Sequence, residues 1–443
     1  MIGFSKQEDN MKICIYGTWH LGTVTAACLA SKGYNVTGLD PNRQIIQDLS
    51  NGIPPLFEPG LQQLIQDGLA NGKLRFSTDV SNTLEEVDLV WICFDTPVDD
   101  SDQADTGSVI QSVKNILPFL KSETTVLVSS QLPVGSVTGL SLDYQKLYPN
   151  RKVYFACSPE NLRLGSALKA FNEPGRIVVG VDSEEAKARI EPVLKSICDT
   201  ILWMSVPSAE MVKHALNGFL ATSICFANEV ATVCELTGAD AKEVERGLKS
   251  DPRVGPRAYV APGQAFGGGT LARDINYLVD VGIQNDVNLP LLSSVLPSNE
   301  RHRDWHFRKL ISGLNNLNGK RIGLLGLSYK PGTSSIRRST AVTLAKTLAS
   351  AGASVVAYDP YVTPACMDQE DSIEVATSLT ECVSSIDALI VATVWPELDI
   401  ELLKILLQQT SHGMMVLDAN RAVEQLAQVT SINYLAVGTS QCN

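Results

Sequence analysis

Two stretches of this chain restrict its fold more than anything else in it. Met11–Tyr16 (MKICIY) is an apolar β-type run followed by Gly17, an apolar helical run Val24–Ala30, a capping Gly33 and a second strand pattern, Asn35–Leu39. Arg321–Gly326 (RIGLLG), a helix over Ala341–Ala351 and a strand Ser354–Tyr358 repeat the arrangement. Strand, turn, helix and strand within about 30 residues make a βαβ unit, whose crossover obliges the strands to pair in parallel. Further strands are predicted at Leu89–Phe94, Thr125–Ser129, Ile177–Val181, Ala388–Thr393 and Met414–Leu417. Alternation of this kind implies parallel sheets covered on both faces. The halves repeat in fold type, not in sequence.

Between them the pattern changes. Ala209–Thr237 reads as one long helix, interrupted only by Gly218, followed by a Gly/Pro-rich loop over Asp251–Thr270 and further helix to about Asn318. The expected fold is therefore α/β, with two Rossmann-like parallel-sheet domains joined by a long central helix. The expected divisions are a loose leader at 1–10, a nucleotide-binding domain at 11–207, a helical dimerisation region at 208–317 and a second Rossmann-like domain at 318–443.

Composition excludes several roles. The net charge of −12 leaves no basic excess with which to displace phosphate counterions, so no nucleic acid is expected as partner. No run of about 18 apolar residues stands out, and no membrane span is expected. Met1–Asn10 is polar and lacks the apolar core of a signal peptide. The ten cysteines show no CxxC spacing and sit mostly in apolar runs, the pattern of reduced thiols in a cytoplasmic protein.

The first turn reads Gly17-Thr18-Trp19-His20-Leu21-Gly22. Gly17 and Gly22 fit the first and third glycines of the dinucleotide fingerprint GxGxxG; Trp19 stands where the second lets backbone amides approach a pyrophosphate. Either Trp19 points away or the cofactor sits differently. Asp40, ending the second strand, is placed to accept from ribose hydroxyls and to repel a 2′-phosphate, which favours NAD over NADP. The alternative is that Asp40-Pro41 only caps the next helix.

Five segments, in order, carry a family resemblance: ICFDTP (Ile92–Pro97), SPENLRLG (Ser158–Gly165), EMVKHALN (Glu210–Asn217), AFGGGTLARD (Ala265–Asp274) and KPGTSSIRRS (Lys330–Ser339). Together they resemble the UDP-glucose/GDP-mannose dehydrogenase family over nearly all of residues 11 to 425. Members oxidise a nucleotide sugar at C6 in two NAD-dependent steps and serve polysaccharide biosynthesis. Lys213 and Asn217, four apart, share one helical face and can hold an oxygen whose charge changes during reaction.

The resemblance implies more. Glu160 and Asp274 would act in proton transfer through a water, and Thr96 and Arg337 would contact the cofactor. Leu162, Arg253, Gly267, Gly268, Lys330 and Arg421 would contact the nucleotide sugar, Arg253 from across a dimer interface. The active site is expected in a cleft between domains, and the partner beside substrate is a second copy of the chain.

The departures bear on chemistry. The family's nucleophilic cysteine, in GGxC, is Thr270, its following lysine is Arg273, and the threonine of its STVP-type turn is Gln131. A threonine hydroxyl is a weak nucleophile without a base. The expectation is NAD-dependent oxidation of a nucleotide-diphosphate sugar, UDP-sugar favoured, that stops after one step. The alternative is a sugar-nucleotide sensor or lapsed subunit without activity. Cys225 is read as core. His302 and His306, four apart, are read as part of a basic surface helix, and no metal is expected.

Overall fold

The computed structural model describes residues 11–97, 104–160, 162, 164–267, 269–331, 334–336, 338–364, 367, 373–410 and 412–439. The leader at 1–10, Gly268 and Arg337 lie outside the described residues. The chain divides into two compact units, Met1–Leu216 and Asn217–Asn443.

The first unit holds eight strands: β1 (Lys12–Tyr16), β2 (Asn35–Leu39), β3 (Leu74–Ser77), β4 (Leu89–Ile92), β5 (Thr125–Val128), β6 (Tyr154–Cys157), β7 (Ile177–Val181) and β8 (Ile201–Met204). Their order is β3-β2-β1-β4-β5-β6-β7-β8. The first six are parallel and run in the 3-2-1-4-5-6 order of a doubly wound sheet. One expectation is corrected: β7 pairs antiparallel to β6, and β8 follows β7 in parallel. Among the described residues the only regular element between β6 and β7 is the six-residue helix Ala167–Asn172. At about 1.5 Å per residue it rises about 9 Å, too short to carry a crossover back along the sheet.

Apolar strands buried on both faces explain the core. Val90, Ile92, Val126, Val128 and Phe155 face one side, and Ile13, Ile15, Leu89, Trp91 and Leu127 the other. The helix His20–Ser31 is almost wholly buried, which is why it reads as continuously apolar rather than amphipathic.

The second unit has β9 (Arg321–Leu325), β10 (Ser354–Tyr358), β11 (Ile373–Val375), β12 (Ala388–Val391), β13 (Met414–Asp418) and β14 (Ile432–Leu435), all parallel. The order β11-β10-β9-β12-β13-β14 is again 3-2-1-4-5-6. The repeat extends to detail. Gly17 N donates to Leu39 O and Gly326 N to Tyr358 O, each glycine at φ near +90°. Asp40 accepts from Thr18 N after β1, and Asp359 accepts from Leu327 N and Ser328 N after β9.

One helix, Val206–Thr237, crosses from the first unit into the second and begins three residues before its predicted start. Among described helices it alone is long and apolar enough by composition to cross a membrane, which the inspection for apolar runs missed. Glu210, Asn217 and Asn228 on it are buried and hydrogen-bonded to other segments, as in a helix packed within protein. His302 and His306 correct another expectation. They lie on successive helices, Pro290–Arg303 and Trp305–Leu314, and both are buried rather than on a surface.

Candidate functional site

In the first unit the nucleotide turn is built by close packing. A Cβ on Gly17, at φ +92°, would lie 2.9 Å from Phe94 N, and one on Gly22 would lie 1.8 Å from Gly17 O. Only glycine lets the helix His20–Ser31 start against β1 and β4. Its N-cap, Trp19, supplies no side-chain hydrogen bond, and the first turn carries no acid. Trp19 is 42% exposed. A helix start whose first turn holds no acid and no side-chain cap suits a diphosphate.

Asp40 is 6% exposed. Its Oδ2 accepts from Thr18 N (2.8 Å) and Thr18 Oγ (3.3 Å), and its Oδ1 from Asn42 N (2.9 Å). The capping alternative fails, because Asn42 caps the helix Arg43–Ser50. Asp40 braces the turn, and its remaining lone pairs are what a ribose could use. Thr96 Oγ donates to Gln131 O (2.7 Å). Gln131 Nε2 in turn meets His214 Nδ1 at 3.3 Å, while His214 Nε2 donates to Leu132 O at 3.1 Å.

Lys213 and Glu160 meet through backbone: Lys213 Nζ donates to Glu160 O (2.8 Å), and Glu160 Oε2 accepts from Leu162 N (2.6 Å). Glu160 and Leu162 line a pocket with Trp91, Ser129 and Ser158. Asp95, which the sequence reading passed over, is exposed as a residue. Even so, the protein around its carboxyl pushes it up to about 6, with the charge of Glu160 adding and His20 opposing. Glu210, first residue of the Glu-x-x-Lys-x-x-x-Asn pattern, is structural. Its buried carboxylate accepts from Gly135 N (2.6 Å) and Val137 N (2.9 Å), fixing the start of the helix Ser136–Leu147.

In the second unit Asn217 donates from Nδ2 to Asp274 Oδ2, both side chains buried, with Arg273 3.6 Å from the same carboxylate. Gly267, Thr270 and Lys330 line one pocket with Tyr259, Phe266 and Tyr329. A Cβ on Gly267 would fall 2.6 Å from Thr340 Cγ2. Thr270 opens the helix Thr270–Gln284 and is exposed. Cys225 is core: burial pushes its thiol up to about 11 and its Sγ lies 3.3 Å from Val295 O.

Three expected substrate contacts, Leu162, Arg253 and Arg421, do not line this pocket. Arg253 is exposed and bound to Asp251 through its Nε and a terminal nitrogen (3.0 and 2.8 Å). Arg421, at φ +52°, is half-buried with its side chain 7% exposed, and its fork grips Asp240 (3.1 and 2.8 Å).

Three positioning residues were given no such role from sequence: Asn228 and Asn299 were not named, and His302 was placed on a surface helix. Asn299 Oδ1 accepts from Phe266 N (2.9 Å) and its Nδ2 donates to Phe266 O (3.0 Å). Asn228 Oδ1 accepts from Gly263 N (2.9 Å), and His302 Nε2 donates to Gly263 O (2.7 Å). They clamp the segment leading to Gly267. For Asn228, a polar residue inside the apolar helix Val206–Thr237 was the available signal; Asn299 and His302 sit in a polar helix and gave none.

Comparison with known proteins accords with this geometry. The NAD binding domain of the UDP-glucose/GDP-mannose dehydrogenase family matches residues 11–198, its central domain 207–301 and its UDP binding domain 323–425. The UDP-glucose 6-dehydrogenase YwqF of Bacillus subtilis is 32% identical over 398 residues, 88% of each chain. A UDP-glucose 6-dehydrogenase of Rhizobium meliloti is 31% identical, covering 89% of this chain and 92% of its own. The structure of a UDP-glucose dehydrogenase from Pyrobaculum islandicum superposes with a TM-score of 0.87 at 29% identity, over 99% of this chain and 100% of that one. This chain belongs to the UDP-glucose/GDP-mannose dehydrogenase family and is an NAD-dependent oxidoreductase of the nucleotide-sugar dehydrogenase kind.

Proposed function

We propose that the protein oxidises the primary alcohol of a UDP-sugar, UDP-glucose first among candidates, as a cytoplasmic homodimer, and releases product after one oxidation. Bound NAD supplies the hydride acceptor. Gly17, Gly22, Asp40 and Thr96 would hold it, together with Arg337. Lys213 and Asn217 would hold the reacting oxygen, and Glu160 and Asp274 would take its proton through a water. Leu162, Gly267, Gly268 and Lys330 would contact the sugar nucleotide, with Arg253 and Arg421 further contacts. Regions 11–207, 208–317 and 318–443 would be the NAD, dimerising and sugar-nucleotide domains.

The observation that carries the one-step reading is Thr270. The hydroxyl is exposed at the first turn of its helix, and no hydrogen bond from it to a base is present among the described residues. Without a base a hydroxyl adds poorly to an aldehyde. Cys225, buried and held protonated, is no substitute. The eight described cysteines are all free, which fits a reducing compartment. The dimer reading rests on Phe219, Phe226 and Val233, which are exposed and seven residues apart along one helix.

The test is NADH stoichiometry on UDP-glucose with mass spectrometry of the product. One NADH per sugar, retained largely in Thr270→Ala, is expected. Two NADH with rapid uronate formation, abolished in Thr270→Ala, would sink the one-step reading.

A further inference from the structure

Glu58 lies in the loop before the helix Leu61–Ala70, outside every motif discussed above, and is 3% exposed. A carboxylate this deep is costly unless its oxygens are satisfied. Glu58 is satisfied by two distant segments. Its Oε1 accepts from Ala167 N (2.7 Å), and its Oε2 accepts from Gly165 N (2.8 Å) and faces His20 Nε2 at 3.2 Å. His20 is the first residue of the helix that begins at the nucleotide turn. Gly165, at φ +80°, closes the run that carries Glu160 and Leu162.

The short helix Ala167–Asn172 has no side-chain cap of its own, and Glu58 supplies the missing acceptor from across the fold. One side chain thus sets the distance between the nucleotide turn and the loop bearing the proposed proton acceptor. Charge-assisted bonds to backbone amides are short and strong, so this distance is stiff.

We propose that Glu58 is a positioning residue of the reaction, placing Glu160 and Leu162 relative to the nucleotide turn while touching no reacting atom; this rests on the functional reading above. Its removal acts through Glu160. Displacement of a reacting group by an ångström costs roughly 100-fold in rate, and that is the loss expected in kcat for Glu58→Gln.

The experiment has two arms. In the first, hydrogen exchange of the folded protein is followed without ligand. Glu58→Gln should speed exchange at Gly165 and Ala167 selectively; unchanged exchange there overturns the proposal. Should Glu58→Gln not fold, Glu58→Asp keeps the charge but falls one methylene short, and the same two amides must respond. In the second arm, kcat with UDP-glucose and NAD is measured for Glu58→Gln, Glu160→Gln and the double variant. If Glu58 acts through Glu160, the double variant should turn over within about twofold of Glu160→Gln. Fully multiplicative losses overturn the proposal. A wild type that does not turn over UDP-glucose defeats the functional reading instead, and the exchange arm still decides the role of Glu58.

Discussion

Asn217 donates its Nδ2 to the Oδ2 of Asp274, and the two side chains are 5% and 0% exposed. The carboxamide is thereby oriented by the carboxylate, leaving its carbonyl end as acceptor. Asn217→Ala removes a partner from a buried charge, which costs about 1–3 kcal/mol. Urea unfolding should show that loss, and kcat should fall with it. A variant with wild-type midpoint would mean that Asp274 is held by other groups.

The nucleotide turn predicts a contrast between two neighbours. A methyl at position 22 would sit 1.8 Å from Gly17 O, so backbone must move. Gly22→Ala should lower stability by about 3 kcal/mol or more, read by denaturant unfolding. Trp19, already exposed, can be changed to glycine with little effect on NAD affinity by calorimetry. Tighter binding in Trp19→Gly would show that the indole obstructs the diphosphate.

Acid sensitivity follows from His306. Burial, with a smaller contribution from the nearby His302, pushes its imidazole down to about 3, and its Nε2 has no partner among the described residues. The unfolded chain takes up the proton near 6.5, the folded one only near 3. The unfolded state therefore binds more protons in that window, and stability present above pH 6.5 is lost as pH falls toward 3, by up to about 1.4 kcal/mol per unit. His306→Phe should flatten the fall in urea midpoint between pH 7 and pH 4. An unaltered slope would place the acid sensitivity in other groups.

Assembly is tested on the exposed helical stripe. Phe219, Phe226 and Val233 are 65%, 51% and 56% exposed. Light scattering at micromolar concentration should give a dimer for the wild type and a monomer for Phe226→Asp. A wild-type monomer would remove the homodimer from the functional reading.

Much of the fold was legible because its determinants are local. Glycine turns, apolar strands and helix caps lie within a few residues of one another, and both βαβ units were found with ends displaced by a few residues at most. Strands β3, β6, β8, β11 and β14 were not named. Each has three or four residues, too few for a period to show, and β3, β11 and β14 are further broken by Arg75, Glu374 and Asn433, whereas β4 and β12, no longer, stood out as unbroken apolar runs. The antiparallel β7 was misread because direction depends on the loop before it, not on the strand's own apolar run.

The candidate site divides in the same way. Sequence by itself determined the glycine turn at Gly17 and Gly22 and the long helix that sets Lys213 and Asn217 four residues apart, since these follow from residue type and spacing alone. Tertiary structure decided which partner each buried or half-buried charge meets. Arg421 is bound to Asp240 across 181 residues, Glu58 to Gly165 across 107, and Glu210 to Gly135 across 75. A buried charge is stabilised by whatever the fold brings within about 3 Å of it, and separation along the chain carries no information about that distance.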